Sequence, residues 1–322
     1  VNVISRGGHD ASTTSSAVAY AGDLEATSVA ASSNGFDLNN YTIDFSNLGD
    51  FIINRRAVTL TASQQEKDYG DNVSLDNTAF TVLDLDNDAL LPNGETVDTV
   101  TLVSANGTAA STDADVNTYG GNISITPTST GAPTLTGSNG FDQENYVFSY
   151  NTGDLVINKR AITLTASQQE KIYGNVLNLD DTAFTTLDRD GGTTLPNDEV
   201  VTNVTIGSAT GVDASTSADV ATYTDEITIG SAVTGTAGTG DGFLESNYAI
   251  TFTSGDLLVK PRPITVTPTQ QEKIYGNTLT LDQTAFTVTD LDNDALLPNG
   301  ETIDAVNVIS RGGHDASTTS SA

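Results

Sequence analysis

Apolar and polar residues alternate in short runs along this chain. Tyr41, Ile43 and Phe45 hold alternate positions, and the same pattern returns as Tyr146, Phe148, Tyr150 and as Tyr248, Ile250, Phe252. A period of two puts such residues on one face of a strand. Gly49-Asp50, Gly153-Asp154 and Gly255-Asp256 mark a turn after each run, and a new alternation then begins. After Asp154, Leu155 and Ile157 alternate, then Ile162 and Leu164, with no Gly/Ser-rich or Pro-rich linker between them. Between residues 159 and 260 the pattern predicts strands near 161–166, 183–187, 201–207, 222–229, 247–253 and 256–260, rich in Thr, Val and Ile. Tyr173-Gly174-Asn175 and Pro196-Asn197-Asp198 predict turns. No segment carries helical periodicity over the 11 or so residues needed to identify it.

The runs belong to repeats. Arg160-Ala-Ile-Thr-Leu-Thr-Ala-Ser-Gln-Gln-Glu-Lys-Ile-Tyr-Gly174 has an earlier copy at 56–70 and a later one at 262–276. Tyr69, Tyr173 and Tyr275 are spaced by 104 and 102 residues, the size of a small domain rather than of a solenoid unit. Four segments follow: 1–54 as the C-terminal part of a repeat, 55–158 and 159–260 as full repeats, and 261–322 as an N-terminal part. Residues 1–17 recur unchanged at 306–322, an offset of 305. With a first residue that is Val rather than Met, this suggests a window on a longer chain with a super-period of three repeats. An artificially duplicated end is the alternative. Six or seven short strands in about 100 residues fit an all-β fold of tandem immunoglobulin-like sandwiches, with a β-grasp-like repeat as the alternative. The joins lack flexible linkers, and Pro261 and Pro263 stiffen the last one. The expected array is therefore stiff.

The run Arg160 to Gly174, with Thr222-Tyr223 and with Asn247 to Val259, and the same positions in the other copies, resembles the YDG/MBG-type repeats of bacterial filamentous-haemagglutinin-like surface adhesins. That resemblance covers nearly the whole chain. It implies an extracellular, cell-surface location and a stalk or spacer role, and it brings no catalytic residue with it.

Charge narrows the function classes. Twelve Lys and Arg stand against 42 Asp and Glu, for a net charge of −30. That excludes the basic footprint of a nucleic-acid binder and suits a soluble surface that attracts divalent cations. There is no Cys, hence no disulfide framework or thiolate site. No apolar run approaches the roughly 18 residues of a membrane helix.

The sharpest chemical candidate is an acidic turn. Asp84, Asp86, Asp88 and Glu95 stand at positions 1, 3, 5 and 12 of a loop, and Asp290, Asp292, Asp294 and Glu301 repeat them. Calcium takes six to eight oxygens at about this spacing. Position 6 is Ala89 or Ala295 where such loops use Gly, and the middle copy keeps only Asp188, Asp190 and Glu199. The plain alternative is a solvated acidic turn. Lys67, Lys171 and Lys273 sit beside Glu66, Glu170 and Glu272; an exposed ion pair is the simple interpretation, an isopeptide crosslink the bolder one. His9 and His314 are one repeat position seen twice, better suited to a loop than to zinc or acid–base chemistry. Ser12–Ser16 and Ser215–Ser217 suit exposed turns or O-glycosylation. A non-enzymatic structural segment is the expectation: a stalk or fibre-forming spacer whose partners are neighbouring repeats and copies of itself. An adhesive module that recognises a glycan or host protein through its loops is the alternative.

Overall fold

A computed structural model describes residues 2–29, 34–126, 135–236 and 242–318. It divides into two compact units, residues 1–160 and 161–322. Among the described residues every helix is a three-residue 3-10 turn, and the fold is all-β.

In the first unit, residues 2–54 hold β1 (Asn2–Ser5), β2 (Ala19–Ser28) and β3 (Gly49–Ile52), one sheet in the order β1-β2-β3. The complete repeat that follows holds β4 (Arg56–Ala62), β5 (Gln65–Asp68), β6 (Phe80–Asp84), β7 (Thr96–Thr99), β8 (Leu102–Ser104), β9 (Asn117–Ile125), β10 (Thr136–Ser138), β11 (Tyr146–Asn151) and β12 (Gly153–Asn158). Its two main sheets run β11-β4-β6 and β5-β12-β9-β8. The first and last parts of the repeat meet in both. β11 lies parallel to β4, with Tyr146 beside Arg56, and β12 lies parallel to β5, with Leu155 beside Gln65. One core draws from both sheets: Val58, Leu60 and Ala62 of β4, Leu102 of β8, Ile123 and Ile125 of β9, Tyr146 of β11 and Leu155 of β12. These are the inward positions of period-two runs, and burying each large one contributes about 1.5 to 3 kcal/mol.

The second unit repeats the plan. β13 (Arg160–Ala166), β14 (Gln169–Ile172), β15 (Phe184–Asp188), β16 (Val200–Ser208), β17 (Thr222–Thr236), β18 (Tyr248–Thr253) and β19 (Gly255–Lys260) form sheets β15-β13-β18 and β14-β19-β17-β16. Residues 261–318 add only β20 (Ile264–Pro268) and β21 (Phe286–Asp290), an antiparallel pair.

Two differences from the sequence pattern have physical causes. The expected strand through Tyr41, Ile43 and Phe45 does not form; residues 41–48 carry no ladder. Its counterparts β11 and β18 are held by β4 and β13, which belong to the first part of a repeat, and residues 2–54 contain no such part. Conversely, Gln169–Ile172 is a strand although polar residues dominate it. It is recruited by β19, whose Leu257 and Val259 run beside Gln169 and Lys171.

Candidate functional site

The residues with the most organised polar chemistry gather where one repeat meets the next. The acidic turn comes first. Asn87 and Asn293 take the left-handed backbone at φ 62° and 63°, a conformation that Asn tolerates. Gly191 takes the same place in the middle copy at φ 82°. The chain folds back so that the Asp84 N–H donates to the Asp88 carbonyl at 2.9 Å. Asp84 Oδ1 accepts from the N–H groups of Asp86 (2.9 Å) and Asp88 (3.1 Å). Its Oδ2 accepts from Arg56 Nε at 2.9 Å and Nη2 at 2.5 Å, and Arg56 also holds Asp86. Arg262 treats Asp290 and Asp292 in the same way. The Asp84 and Asp290 side chains are buried, whereas Asp86 and Asp292 reach solvent. Burial pushes the Asp84 carboxyl up, but Arg56 and the two backbone donors outweigh it and hold it below its ordinary 3.8. For Asp290 the Arg262 guanidinium is the leading cause of the same lowering.

The fourth predicted ligand is engaged elsewhere. Glu95 is buried and accepts from the Tyr146 hydroxyl at 2.7 Å, a pairing repeated by Tyr248 and Glu199. Burial, then Glu95, raises the Tyr146 phenol above its ordinary value. Glu301 is exposed and accepts instead from the hydroxyl of Tyr173 in the preceding repeat. The structure thus brings two of the four predicted ligands together on one arginine in each copy and gives the Glu a different partner. Among the described residues no group of three or more His, Cys, Asp or Glu is arranged around a metal position. Calcium at Asp84, Asp86, Asp88 and Glu95, or at Asp290, Asp292, Asp294 and Glu301, requires the guanidinium to leave first.

At two of the repeat starts the equivalent arginine, Arg160 or Arg262, reaches backwards along the chain. In the first unit Arg160 Nη1 donates to the Tyr69 carbonyl (3.4 Å) and Asp71 Oδ1 (3.1 Å). In the second, Arg262 Nη1 donates to the Tyr173 carbonyl (3.5 Å) and Asn175 Oδ1 (2.8 Å). A second contact occurs at the joint before residue 55 and, beside Arg262, at the joint before residue 261. Asn93 Nδ2 donates to the Thr13 carbonyl at 2.8 Å, and Asn299 Nδ2 donates to the Thr216 carbonyl at 3.0 Å. Asn93 and Asn299 can point that way because they sit left-handed in Pro-Asn-Gly turns, at φ 59° and 57°. Gly174 completes the joint made by Arg262 and Asn299: at φ 89° a Cβ there would lie 2.4 Å from the Pro298 ring. Where Asn93 meets Thr13, a cavity of about 150 Å³ is lined by Thr13, Arg56, Asn93, Glu95 and Tyr146, among others. That is below the roughly 300 Å³ where small-molecule pockets begin.

The lysines carry a feature that sequence inspection missed. Lys67 and Lys171 are 5% exposed. Lys67 Nζ donates to the main-chain carbonyls of Asp71 (3.1 Å), Thr108 (2.7 Å), Ala109 (3.2 Å) and Ser111. Lys171 donates to Val212, Asp213 (3.3 Å) and Ser215 (2.5 Å). Burial lowers both ammonium groups below the ordinary 10.5. Each head sits in a nest of carbonyl oxygens, so neither an exposed pair with Glu66 nor a crosslink to an acid describes it. The available signal was a Lys kept three times at one spacing in an otherwise acid-rich chain.

His9 stacks on Tyr20 with ring centroids 3.7 Å apart, and its Nδ1 lies 3.2 Å from Asp23 Oδ1. Asp23 also accepts from the Ser5 hydroxyl. Ser104 with Asn122 and Ser208 with Glu226 make the same bond in the complete repeats, so this is a repeat-wide brace under a loop. Comparison of the chain with family models, curated proteins and solved structures finds no match.

Proposed function

We propose that this chain is a load-bearing spacer: tandem immunoglobulin-like β-sandwich repeats of a secreted bacterial surface or matrix protein, of the YDG/MBG-repeat kind. The recurrence of one joint carries the proposal. An arginine at the start of a repeat reaches back to the Tyr-Gly turn of the repeat before, as Arg160 does to Tyr69 and Arg262 to Tyr173. The arginine at this position braces the acidic turn in two copies, as Arg56 and as Arg262. A stalk needs every joint alike, whereas a binding site needs one region that differs from the rest. Two sheets sharing one core support the sandwich form. A β-grasp repeat needs a helix laid across its sheet, and no α-helix occurs among the described residues.

Pulling along such an array would load the parallel pairs β4–β11 and β5–β12 in shear, so their hydrogen bonds break together rather than one by one. Calcium at the two acidic turns belongs to the same proposal as a stiffener. Small-angle scattering in Ca²⁺ and in EDTA tests both parts. An elongated, semi-rigid particle is expected in either buffer, and a compact or freely jointed one overturns the spacer. Softening in EDTA supports calcium at the turns; identical curves remove it and leave the arginine clasp.

A further inference from the structure

The turns that join repeats are built from a chemically reactive pair. Asn is followed by Gly at five places, beginning at Asn34, Asn93, Asn106, Asn139 and Asn299. In all five both residues are left-handed, with the Asn φ between 54° and 59°. Turn geometry selects this pair, because Asn and Gly accept consecutive positive φ at the least cost. The same pair leaves an Asn side chain most open to attack, since Gly puts no side chain beside its own backbone nitrogen.

In that reaction the Gly nitrogen forms a bond to the Asn Cγ, the Cγ–Nδ2 bond breaks, and Nδ2 leaves as ammonia with the proton given up by the Gly amide. Water then opens the cyclic imide at either carbonyl and leaves Asp or isoaspartate. Water is the one co-reactant. Ring closure needs Nδ2 free to leave and the Gly nitrogen turned into line with Cβ. Two of the five steps withhold both. Asn93 is held at ψ 13° and Asn299 at ψ 14°, which points the next nitrogen well away from Cβ. Asn93 Nδ2 is engaged by the Thr13 carbonyl at 2.8 Å. Asn299 Nδ2 is engaged by the Thr216 carbonyl (3.0 Å) and the Tyr173 hydroxyl (3.3 Å), and its Oδ1 accepts from Thr216 Oγ1 at 2.8 Å. Asn106 has the same backbone, at φ 54° and ψ 17°, and among the described residues its side chain bonds to no other repeat.

We propose that Asn93 and Asn299 are modification sites, where deamidation turns a passing opening of the joint into a lasting one. A closed joint holds the side chain and blocks the rotation. An open joint releases both. The product cannot restore the contact, because a carboxylate oxygen replaces Nδ2 and meets the Thr13 or Thr216 carbonyl as acceptor against acceptor. Isoaspartate also lengthens the main chain by one carbon. Beside Arg262 the new charge lies close to Glu301, which shares the Tyr173 hydroxyl with Asn299.

The middle copy carries an internal control. Its turn has Asn197 followed by Asp198, with Asn197 left-handed at φ 57°. The Asp side chain crowds the attacking nitrogen, and its negative charge makes the amide proton harder to remove. The same turn shape is thus written once with a slow pair and twice with a fast one.

This inference goes beyond the spacer proposal without resting on it, because both contacts belong to the fold whatever the chain carries. The test incubates the full chain at mildly alkaline pH, folded and in urea, and follows Asn93, Asn106, Asn197 and Asn299 by peptide mapping. In urea Asn93, Asn106 and Asn299 are expected to react at similar rates and Asn197 several-fold more slowly. In the folded chain Asn93 and Asn299 are expected to fall at least about threefold behind Asn106, as a mostly closed joint requires. Gly174→Ala drives a Cβ into the Pro298 ring and is expected to speed Asn299 several-fold while Asn93 and Asn106 keep their rates. Where it speeds all three it has unfolded the chain, and Asn299→Asp decides. That variant builds the product directly and is expected to speed hydrogen exchange several-fold at the Ser215 and Glu301 amides, which are hydrogen-bonded within the two loops; Asn106→Asp leaves them unchanged. Equal rates at Asn93, Asn106 and Asn299 in the folded chain overturn the proposal. So does a folded Gly174→Ala chain whose Asn299 rate stays put, or exchange that Asn299→Asp does not move.

Discussion

Asn2-Val-Ile-Ser5 and Asn307-Val-Ile-Ser310 are the same four residues. The first is strand β1, laddered to β2; the second forms no strand. Intrinsic propensity is identical, so the difference lies in the presence of a partner. A strand of this length owes its existence to its neighbour, because an isolated edge gains too little burial to offset the ordering of its backbone. The rule extends to Gln271–Ile274 and residues 41–48, which also lack their ladders. It predicts which interactions are local to one part of a repeat and which need both.

Core truncation should separate the regions most. Leu164→Ala, fully buried in β13, is expected to cost roughly 2 to 5 kcal/mol. Val266→Ala at the equivalent, partly exposed site of β20 is expected to cost less than about 1 kcal/mol. Chemical denaturation of the two variants checks this, and equal losses would break the comparison.

The lysine nest comes next. Lys171→Met keeps most of the volume but strips donors from the Val212, Asp213 and Ser215 carbonyls, at an expected cost of about 3 kcal/mol. Lys273 is only partly buried, and Lys273→Met is expected to move the melting temperature far less. The reverse order would mean that the nest does not depend on a closed repeat.

The smallest effect should be one that does not differ. Arg56 and Asp84 both lie in the first part of a repeat, as do Arg262 and Asp290, and the clamp forms in both settings. Asp84 and Asp290 are each held below the ordinary 3.8. A carboxyl with a lowered folded value contributes stability that is complete above about pH 3.8 and is lost as pH falls through the folded value. Carboxyl titration by NMR should place both midpoints below 3.8. An ordinary midpoint for Asp290 alone would show that the clamp also needs the other part.

Most of the sheet strands were legible because alternation and burial coincide: Ile162 and Leu164 face the core where the pattern put them. What escaped was context. Gln169–Ile172 has little apolar pattern and is a strand because β19 recruits it; Tyr41–Phe45 has the pattern and no partner. At the site, spacing pointed to the acidic turns but not to Arg56 and Arg262 as the groups that occupy them. Those arginines stand 28 residues before Asp84 and Asp290, so only the fold reveals the pairing. Glu95 carries the same lesson: its partner Tyr146 lies 51 residues away.

The carbonyl nest has a consequence for how these repeats diverge. The lysine takes its acceptors from the main chain, so it reads the path of the loop and not its side chains. Thr108, Val212 and His314 stand at the same place in three copies and offer the same oxygen to Lys67, Lys171 and Lys273. A loop anchored in this way is free to change its lettering from repeat to repeat while its shape stays inherited, which leaves it open to whatever new surface selection favours.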